Sequence, residues 1–256
     1  MRPGDVRFSA THPFRGGTMV PLKVLFRAAP ILAGVAVLAG CGGTSHPAAT
    51  SPSAETVQSK FVNVVKAVSP AVVQIQTSSG LGSGIVFDAR GNVVTNNHVV
   101  AGAKRFTVTL AGGKRVPATL VGTSPGNDLA VIHLTGATPS PATFGDSSQI
   151  QVGYLALAIG NPLGLHSSVS QGIVSSVSRT VSEGNGVTLT SAIQTSAEIN
   201  PGNSGGALAD LNGRVIGIPT LAALDPEFGG TPAPGIGFAI ASNRVKTVAT
   251  SIIAGT

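Results

Sequence analysis

The sequence predicts an all-β fold, a barrel or sandwich, on three observations. After residue 57 most of the chain is short runs rich in Val, Ile and Thr, parted by Gly, Asn and Asp. They are Ala71–Thr77, Gly84–Asp88, Asn92–Thr95, Phe106–Leu110, Leu129–Leu134, Leu155–Ile159, Ser168–Ser178, Val187–Ile193, Val215–Thr220 and Ile236–Ile240. Strands this short and this evenly spaced argue for antiparallel architecture. Helical spacing, in contrast, is confined to the two ends. Finally, about 200 residues are available to fold, enough for two small cores.

In chain order, residues 1–18 carry no targeting pattern and read as an extension ahead of a second start at Met19. Residues 19–41 read as a signal peptide: Lys23 and Arg27 are its positive region and Ala28 to Ala39 its short apolar run. That run is too short to span a membrane as a helix. It ends in Leu38-Ala39-Gly40-Cys41, which resembles a bacterial lipobox with Cys41 as the lipidated residue. Cys41 is the chain's one cysteine, so the exported part is expected to rely on its core rather than on a disulfide. Residues 42–56, rich in Ser, Thr, Pro and Ala, are expected to be a flexible tether.

Next, Val57, Phe61, Val64, Val65 and Val68 recur at helical spacing until Ser69-Pro70 stops them. Asp88-Ala89-Arg90-Gly91-Asn92 reads as a hairpin turn, and so does Gly112-Gly113-Lys114. Asp128 ends a Ser-Pro-Gly-Asn turn. A last helix is expected from Ser242, with Val245, Val248 and Ile252 on one face.

The net charge of +6 is concentrated at the start. Residues 1–41 hold Arg2, Arg7, Arg15, Lys23 and Arg27 against Asp5. The remainder carries 11 basic and 9 acidic residues, which gives no support for nucleic-acid binding. No His/Cys cluster has metal-ligand spacing, and no Gly-rich loop ends in a phosphate-binding Lys. Neither a metal nor another cofactor is expected.

The chemistry lies in three segments: Thr95-Asn96-Asn97-His98-Val99-Val100, Asn127-Asp128-Leu129-Ala130-Val131, and Ile199-Asn200-Pro201-Gly202-Asn203-Ser204-Gly205-Gly206. A serine hydroxyl is a weak nucleophile until a base takes its proton, and imidazole, with a pKa near ~6.5, suits that task. A carboxylate fixes the ring's tautomer. His98, Asp128 and Ser204 supply one group of each kind. Gly202 permits a tight turn that aims its own N–H and that of Ser204 at one point, as an oxyanion hole requires. Gly202–Gly206 also fits the G-x-S-x-G elbow, but that fold needs its His after the Ser. Here His12, His46, His98, His133 and His166 all precede Ser204. His133 alternates with apolar neighbours as a strand residue does, and His166 reads as a loop residue.

The order His, Asp, Ser is that of chymotrypsin-like proteases, and the chain from about Val57 to Ile253 resembles the HtrA/Deg family. The likeness includes residues 61–73, Gly82-Ser83-Gly84, residues 153–162, Gln171-Gly172-Ile173-Val174-Ser175 and Gly235-Ile236-Gly237-Phe238-Ala239-Ile240. It implies two chymotrypsin-like barrels, 57–150 and 151–256, with the active site in the cleft between them. It further implies His98 as base, Asp128 as its orienter, Ser204 as nucleophile, and an edge strand Thr220-Leu221-Ala222 that pairs with extended substrate. Glu198 would lie at the base of the pocket for the residue before the cleaved bond, with Gly235 on the opposite wall. Such a carboxylate either selects Lys or Arg or turns outward to solvent. Family members often form homotrimers, and most carry C-terminal PDZ domains, for which this chain shows no sequence after Ala241. The expectation is an extracytoplasmic, membrane-tethered serine endopeptidase acting on unfolded polypeptides. The rival is a non-proteolytic peptide-binding module whose triad rests inactive.

Overall fold

In this computed structural model the described residues are 54–78, 80–161, 168–182, 187–200, 202–225 and 231–256. The signal-like segment, Cys41, most of the tether and His166 lie outside them. Six strands close one antiparallel barrel in the order β1-β2-β3-β6-β5-β4. They are β1 (Val72–Gln76), β2 (Leu81–Val86), β3 (Asn92–Thr95), β4 (Phe106–Thr109), β5 (Arg115–Ser124) and β6 (Leu129–Leu134). A second barrel closes as β10-β11-β12-β9-β8-β7. Its strands are β7 (Leu155–Gly160), β8 (Ser168–Ser182), β9 (Thr188–Thr195), β10 (Ala207–Asp210), β11 (Val215–Asp225) and β12 (Thr231–Ala241). Closure gives each strand two neighbours over part of its length.

Period-two alternation builds three apolar layers from these strands. Val73 and Ile75 of β1 meet Val93, Ala130 and Ile132 inside the first barrel. Ala156, Ala158, Ile193, Leu208 and Ala239 fill the second. The alternate residues form a third cluster, in which Val72, Ile85, Leu129 and Val131 of the first barrel pack with Leu157, Ile159, Ile218 and Ile240 of the second. Both faces of these strands are therefore dry, which is why they read as unbroken apolar runs. Each fully buried Leu, Ile or Val contributes about 1.5–3 kcal/mol relative to exposure.

The helices strap the barrels together. α1 (Ala54–Val68) lies against β7 and β10, with Val64 and Val68 in the shared cluster. α2 (Asn97–Val100) is a single turn. α3 (Ser242–Ala254) crosses back onto β5 and β6, with Val245 and Ala249 buried. Gly122 permits this: a Cβ there would stand 2.9 Å from Ile252 Cγ2. None of these described helices is long and apolar enough to cross a membrane.

Three differences from expectation have a clear physical cause. α1 starts at Ala54, inside the expected tether 42–56; alanine is a strong helix former. β5 was expected only as the segment after the hairpin turn, without its extent, because Pro117, Gly122 and the exposed pair Leu120 and Val121 blur its alternation. β10 escaped because Ala-Leu-Ala-Asp is four small-to-medium residues without β-branching.

The connection from β6 to β7 is stitched to both barrels. Ala142 N–H donates to Val86 O at 3.0 Å, and Val215 N–H donates to Thr143 O at 2.8 Å. Phe144 meets Phe87 edge to face, with ring centres 5.5 Å apart. Asp146 Oδ1 accepts from Asn243 Nδ2 (2.6 Å) and from the N–H and hydroxyl of Ser148. These bonds, the Asn243 one foremost, lower the Asp146 pKa to about 2. A depressed carboxylate pKa stabilises the fold above the unfolded value, ~3.9, and that contribution fades as pH falls to about 2. Asp146→Asn should lower Tm at pH 6, with the gap to wild type closing in melts taken from pH 4 down to pH 2. A pH-independent gap would contradict this.

Candidate active site

His98 stands in the one-turn helix α2, directly after β3. Its main-chain N–H, freed at the helix start, donates to Asp128 Oδ1 at 3.0 Å. Its ring Nδ1 lies 2.9 Å from Asp128 Oδ2. An ionised carboxylate only accepts, so Nδ1 carries the proton and Nε2 is left with its lone pair. The ring is half-exposed at 49% while the Asp128 side chain is buried at 3%. Asp128 follows the 3-10 turn Pro125–Asn127 in left-handed geometry, with φ 46°. Such a conformation in a non-glycine residue is held by its surroundings. Asn97 N–H and Asn96 Nδ2 both donate to the Asp128 carbonyl, each at 3.1 Å.

Thr220 joins the barrels at this point. Its hydroxyl donates to Asp128 Oδ2 at 2.6 Å, and its carbonyl accepts from the Ser204 hydroxyl at 3.0 Å. The carbonyl is available because β11 bulges there. Pro219 pairs with Ala239 and Leu221 with Phe238, which leaves Thr220 as the extra residue. β10 pairs only as far as Gly217, so beyond it the other side of β11 has no strand partner among the described residues. Leu221 and Ala222 lie on this stretch, paired with Phe238 and Gly237 of β12; their side chains lie outside the described set.

The loop bearing Ser204 is held from inside by Asn203, 6% exposed. Asn203 Nδ2 donates to Glu198 O at 3.0 Å, and its Oδ1 accepts from Asn200 N–H at 3.1 Å. From outside it is held by Ser83 on β2, which is fully buried. Ser83 N–H donates to Ser204 O at 3.0 Å. The Ser83 hydroxyl donates to Gly202 O and accepts from Asn161 N–H at 2.8 Å. Ser83 O accepts from Thr95 Oγ1 at 2.7 Å. Glycine is required opposite: a Cβ on Gly205, at φ 81°, would stand 2.2 Å from Ser83 O. Among the described residues the main-chain N–H groups of Gly202 and Ser204 meet no acceptor. Gly202 has φ 103°.

A pocket of about 220 Å³ adjoins this loop, lined by residues 197–200 and 233–237. Glu198 lines it but is exposed, with Asn200 Nδ2 3.4 Å from its Oε2. Gly235, at φ 72°, and Gly237 form the opposite wall. A Cβ on Gly237 would meet Ile199 Cγ1 at 2.4 Å, so Gly237 keeps Ile199 seated. His133, as expected, lies on a strand, with Nδ1 3.2 Å from Asn92 Oδ1.

Sequence reasoning singled out His98, Asp128, Gly202 and Ser204 and did not find the contacts of Ser83 and Asn203. Both stand inside motifs, Gly82-Ser83-Gly84 and Gly202-Asn203-Ser204, but Ser83 works through contacts with the distant Gly202, 119 positions away, and Ser204, and Asn203 through a loop turned back on Glu198 and Asn200. The signal that could have found Ser83 is a polar residue within an otherwise apolar strand. Ser83→Ala leaves Gly202 O and the buried Asn161 N–H without this partner, at a cost of about 1–3 kcal/mol. Denaturant unfolding should show that loss; a change within about 0.5 kcal/mol, the range of ordinary surface substitutions, would contradict it.

The description trypsin-like peptidase domain matches residues 82–218, more than half of the chain. The serine protease PepD of Mycobacterium tuberculosis is 39% identical, over 98% of this chain and 57% of PepD. The periplasmic serine endoprotease DegP of Escherichia coli is 45% identical, over 70% of this chain and 37% of DegP. The chain thus spans little more than half of the one relative and about a third of the other. Among solved structures, the HtrA-type protease AlgW with tripeptide superposes with TM-score 0.68 at 41% identity, covering 75% of this chain and 63% of AlgW. Deg5 superposes with TM-score 0.66 at 37% identity, covering 78% of this chain and 97% of Deg5.

Proposed function

The chain belongs to the trypsin-like peptidases of the HtrA type, and on that premise we propose that it is a serine endopeptidase acting on unfolded polypeptides. The observation that carries this reading is the His98–Asp128 pair, whose Nδ1 proton is committed to a buried carboxylate while the imidazole stays half-exposed. In the proposed reaction His98 Nε2 takes the Ser204 proton as Oγ attacks the scissile carbonyl. The oxygen that becomes negative is met by the N–H groups of Gly202 and Ser204. His98 then returns the proton to the leaving amine, and water hydrolyses the acyl-serine by the same route. Substrate main chain adds to the unpaired side of β11 at Thr220-Leu221-Ala222.

A second reading, a peptide-binding module with a resting triad, is favoured by one observation. The Ser204 hydroxyl has a single proton, and it is donated to Thr220 O. Unfolded casein separates the two readings. His98→Ala and Ser204→Ala should each lower turnover by several orders of magnitude, and Asp128→Asn should do nearly as much damage. Turnover should fall as pH drops below the imidazole pKa, near ~6.5, because protonated His98 accepts no proton. Peptide binding without any cleavage, in wild type and variants alike, would leave the binding module.

Glu198 stands exposed beside Asn200, so the pocket's aliphatic wall, Ile199 with Gly237, sets the residue before the cleaved bond. A peptide-library profile of Glu198→Ala should match wild type, with cleavage after Val, Ala or Leu. A wild-type preference for Lys or Arg, lost in the variant, would place the carboxylate in selection.

Export and a lipid anchor on Cys41 belong to the same proposal, with action outside the cytoplasm and homotrimers as the working assembly. DegP is by name periplasmic. The chains of a bacterial lipoprotein anchor firmly where one chain would not. Wild type should enter the detergent phase of a phase-separation extract, and Cys41→Ser should leave it. Wild type in the aqueous phase would end the lipid reading.

A further inference from the structure

A second pocket lies away from the triad, where the start of α3 meets the β6–β7 connection and the second barrel. Its volume is about 490 Å³, within the range of small-molecule sites. Val177, Val248 and Ala241 give it an aliphatic floor, and Ser191 brings a hydroxyl, that of Ser148 being donated to Asp146. Arg244 is the one charged residue in its lining. Among the described residues no carboxylate lies within ion-pair distance of that guanidinium. Its partners are neutral oxygens: Nη1 donates to Asn127 Oδ1 at 2.9 Å, and Nη2 donates to Thr190 Oγ1 at 3.1 Å. A guanidinium has five donors, so further ones remain for a ligand.

Those two partners occupy particular places. Among the described residues only two non-glycine residues have positive φ, Asp128 at 46° and Ser191 at 58°. Asn127 and Thr190 immediately precede them. Arg244 thus braces the turn before β6 and an irregular stretch of β9, and the turn carries the Asp128 carboxylate beside His98. Arg244 is exposed; a cation with no carboxylate in ion-pair distance among the described residues, set beside an aliphatic floor, recognises an anion with a short apolar body. A carboxylate bonds a guanidinium about twice as strongly as a neutral oxygen does.

We propose that this pocket is a second ligand site, taking a carboxylate on a short aliphatic body, and that its occupant slows the enzyme by drawing Arg244 from Asn127. The free carboxylic acid of a small molecule and the C-terminus of a polypeptide share this chemistry. The site itself stands on the pocket alone; the slowing rests on the peptidase reading above.

Isothermal titration of the intact protein with 4-methylpentanoate and with acetyl-alanyl-leucine, each against its carboxamide, tests the site without reference to catalysis. The acids should bind saturably and the amides at least about tenfold more weakly, as loss of a charge-assisted bond requires. Arg244→Met should bind none of them, and Arg244→Lys should bind the acids weakly. Whichever acid binds tighter names the source. Equal binding of acid and amide, unchanged binding by Arg244→Met, or loss of binding once the active-site serine is blocked by a fluorophosphonate would overturn the site. Saturating acid should lower casein turnover about fivefold in wild type, the equivalent of one ordinary hydrogen bond, and leave Arg244→Met unchanged. Binding with no change in turnover would overturn the coupling. Wild type without turnover would instead count against the peptidase reading, with the titration still deciding the site.

Discussion

A buried hydrogen bond from the Thr220 hydroxyl to Asp128 Oδ2 joins the two barrels where the candidate residues meet. Asp128 belongs to the turn before β6 in the first barrel, and Thr220 to β11 in the second. The same residue's carbonyl holds the Ser204 hydroxyl. A shift of one barrel against the other would therefore disturb the carboxylate and the serine together. Leaving the Asp128 charge unsatisfied in a dry site would be costly, so the bond also penalises that shift. Ser83 repeats the arrangement on the other side of the loop, tying β2 to Gly202, Ser204 and Asn161.

These polar ties work because an apolar layer already fixes the barrels to within their reach. Val72, Ile85, Leu129 and Val131 meet Leu157, Ile159, Ile218 and Ile240 in one dry cluster, with α1 covering one side of it. Packing of this kind is non-directional and supplies most of the free energy. The hydrogen bonds add little net stability each but select one register. Division of labour of this sort suits a cleft site, whose residues must come from both barrels and still be placed within a fraction of an ångström.

Much of this was legible in the sequence, and for a physical reason. Alternation and turn chemistry are local, so β3 and β6 could be bounded to the residue, as could the start of α3 at Ser242. His98, Asp128 and Ser204 stand in motifs whose spacing is itself local. The extent of β5 and the whole of β10 were hidden because neither strand presents a β-branched alternating run. Ser83 and the side chain of Thr220 act through partners far along the chain, and no window of sequence holds both ends of those bonds; the partners of Asn203 are near in sequence, but the loop shape that brings them together is not written in any periodicity. The exposed setting of Glu198 is equally a tertiary fact, fixed by how its carbonyl anchors Asn203 and Ser170.

The central claim is that the paired His98 and Asp128 serve Ser204. Its most direct measurement is the rate at which a fluorophosphonate labels Ser204, located by mass spectrometry of the labelled peptide. The account predicts labelling at Ser204 in wild type, none in Ser204→Ala, and a rate reduced by at least about a hundredfold in His98→Ala, since the hydroxyl then has no base. No labelling of wild type in any assembly state, or equal labelling with and without His98, would contradict it.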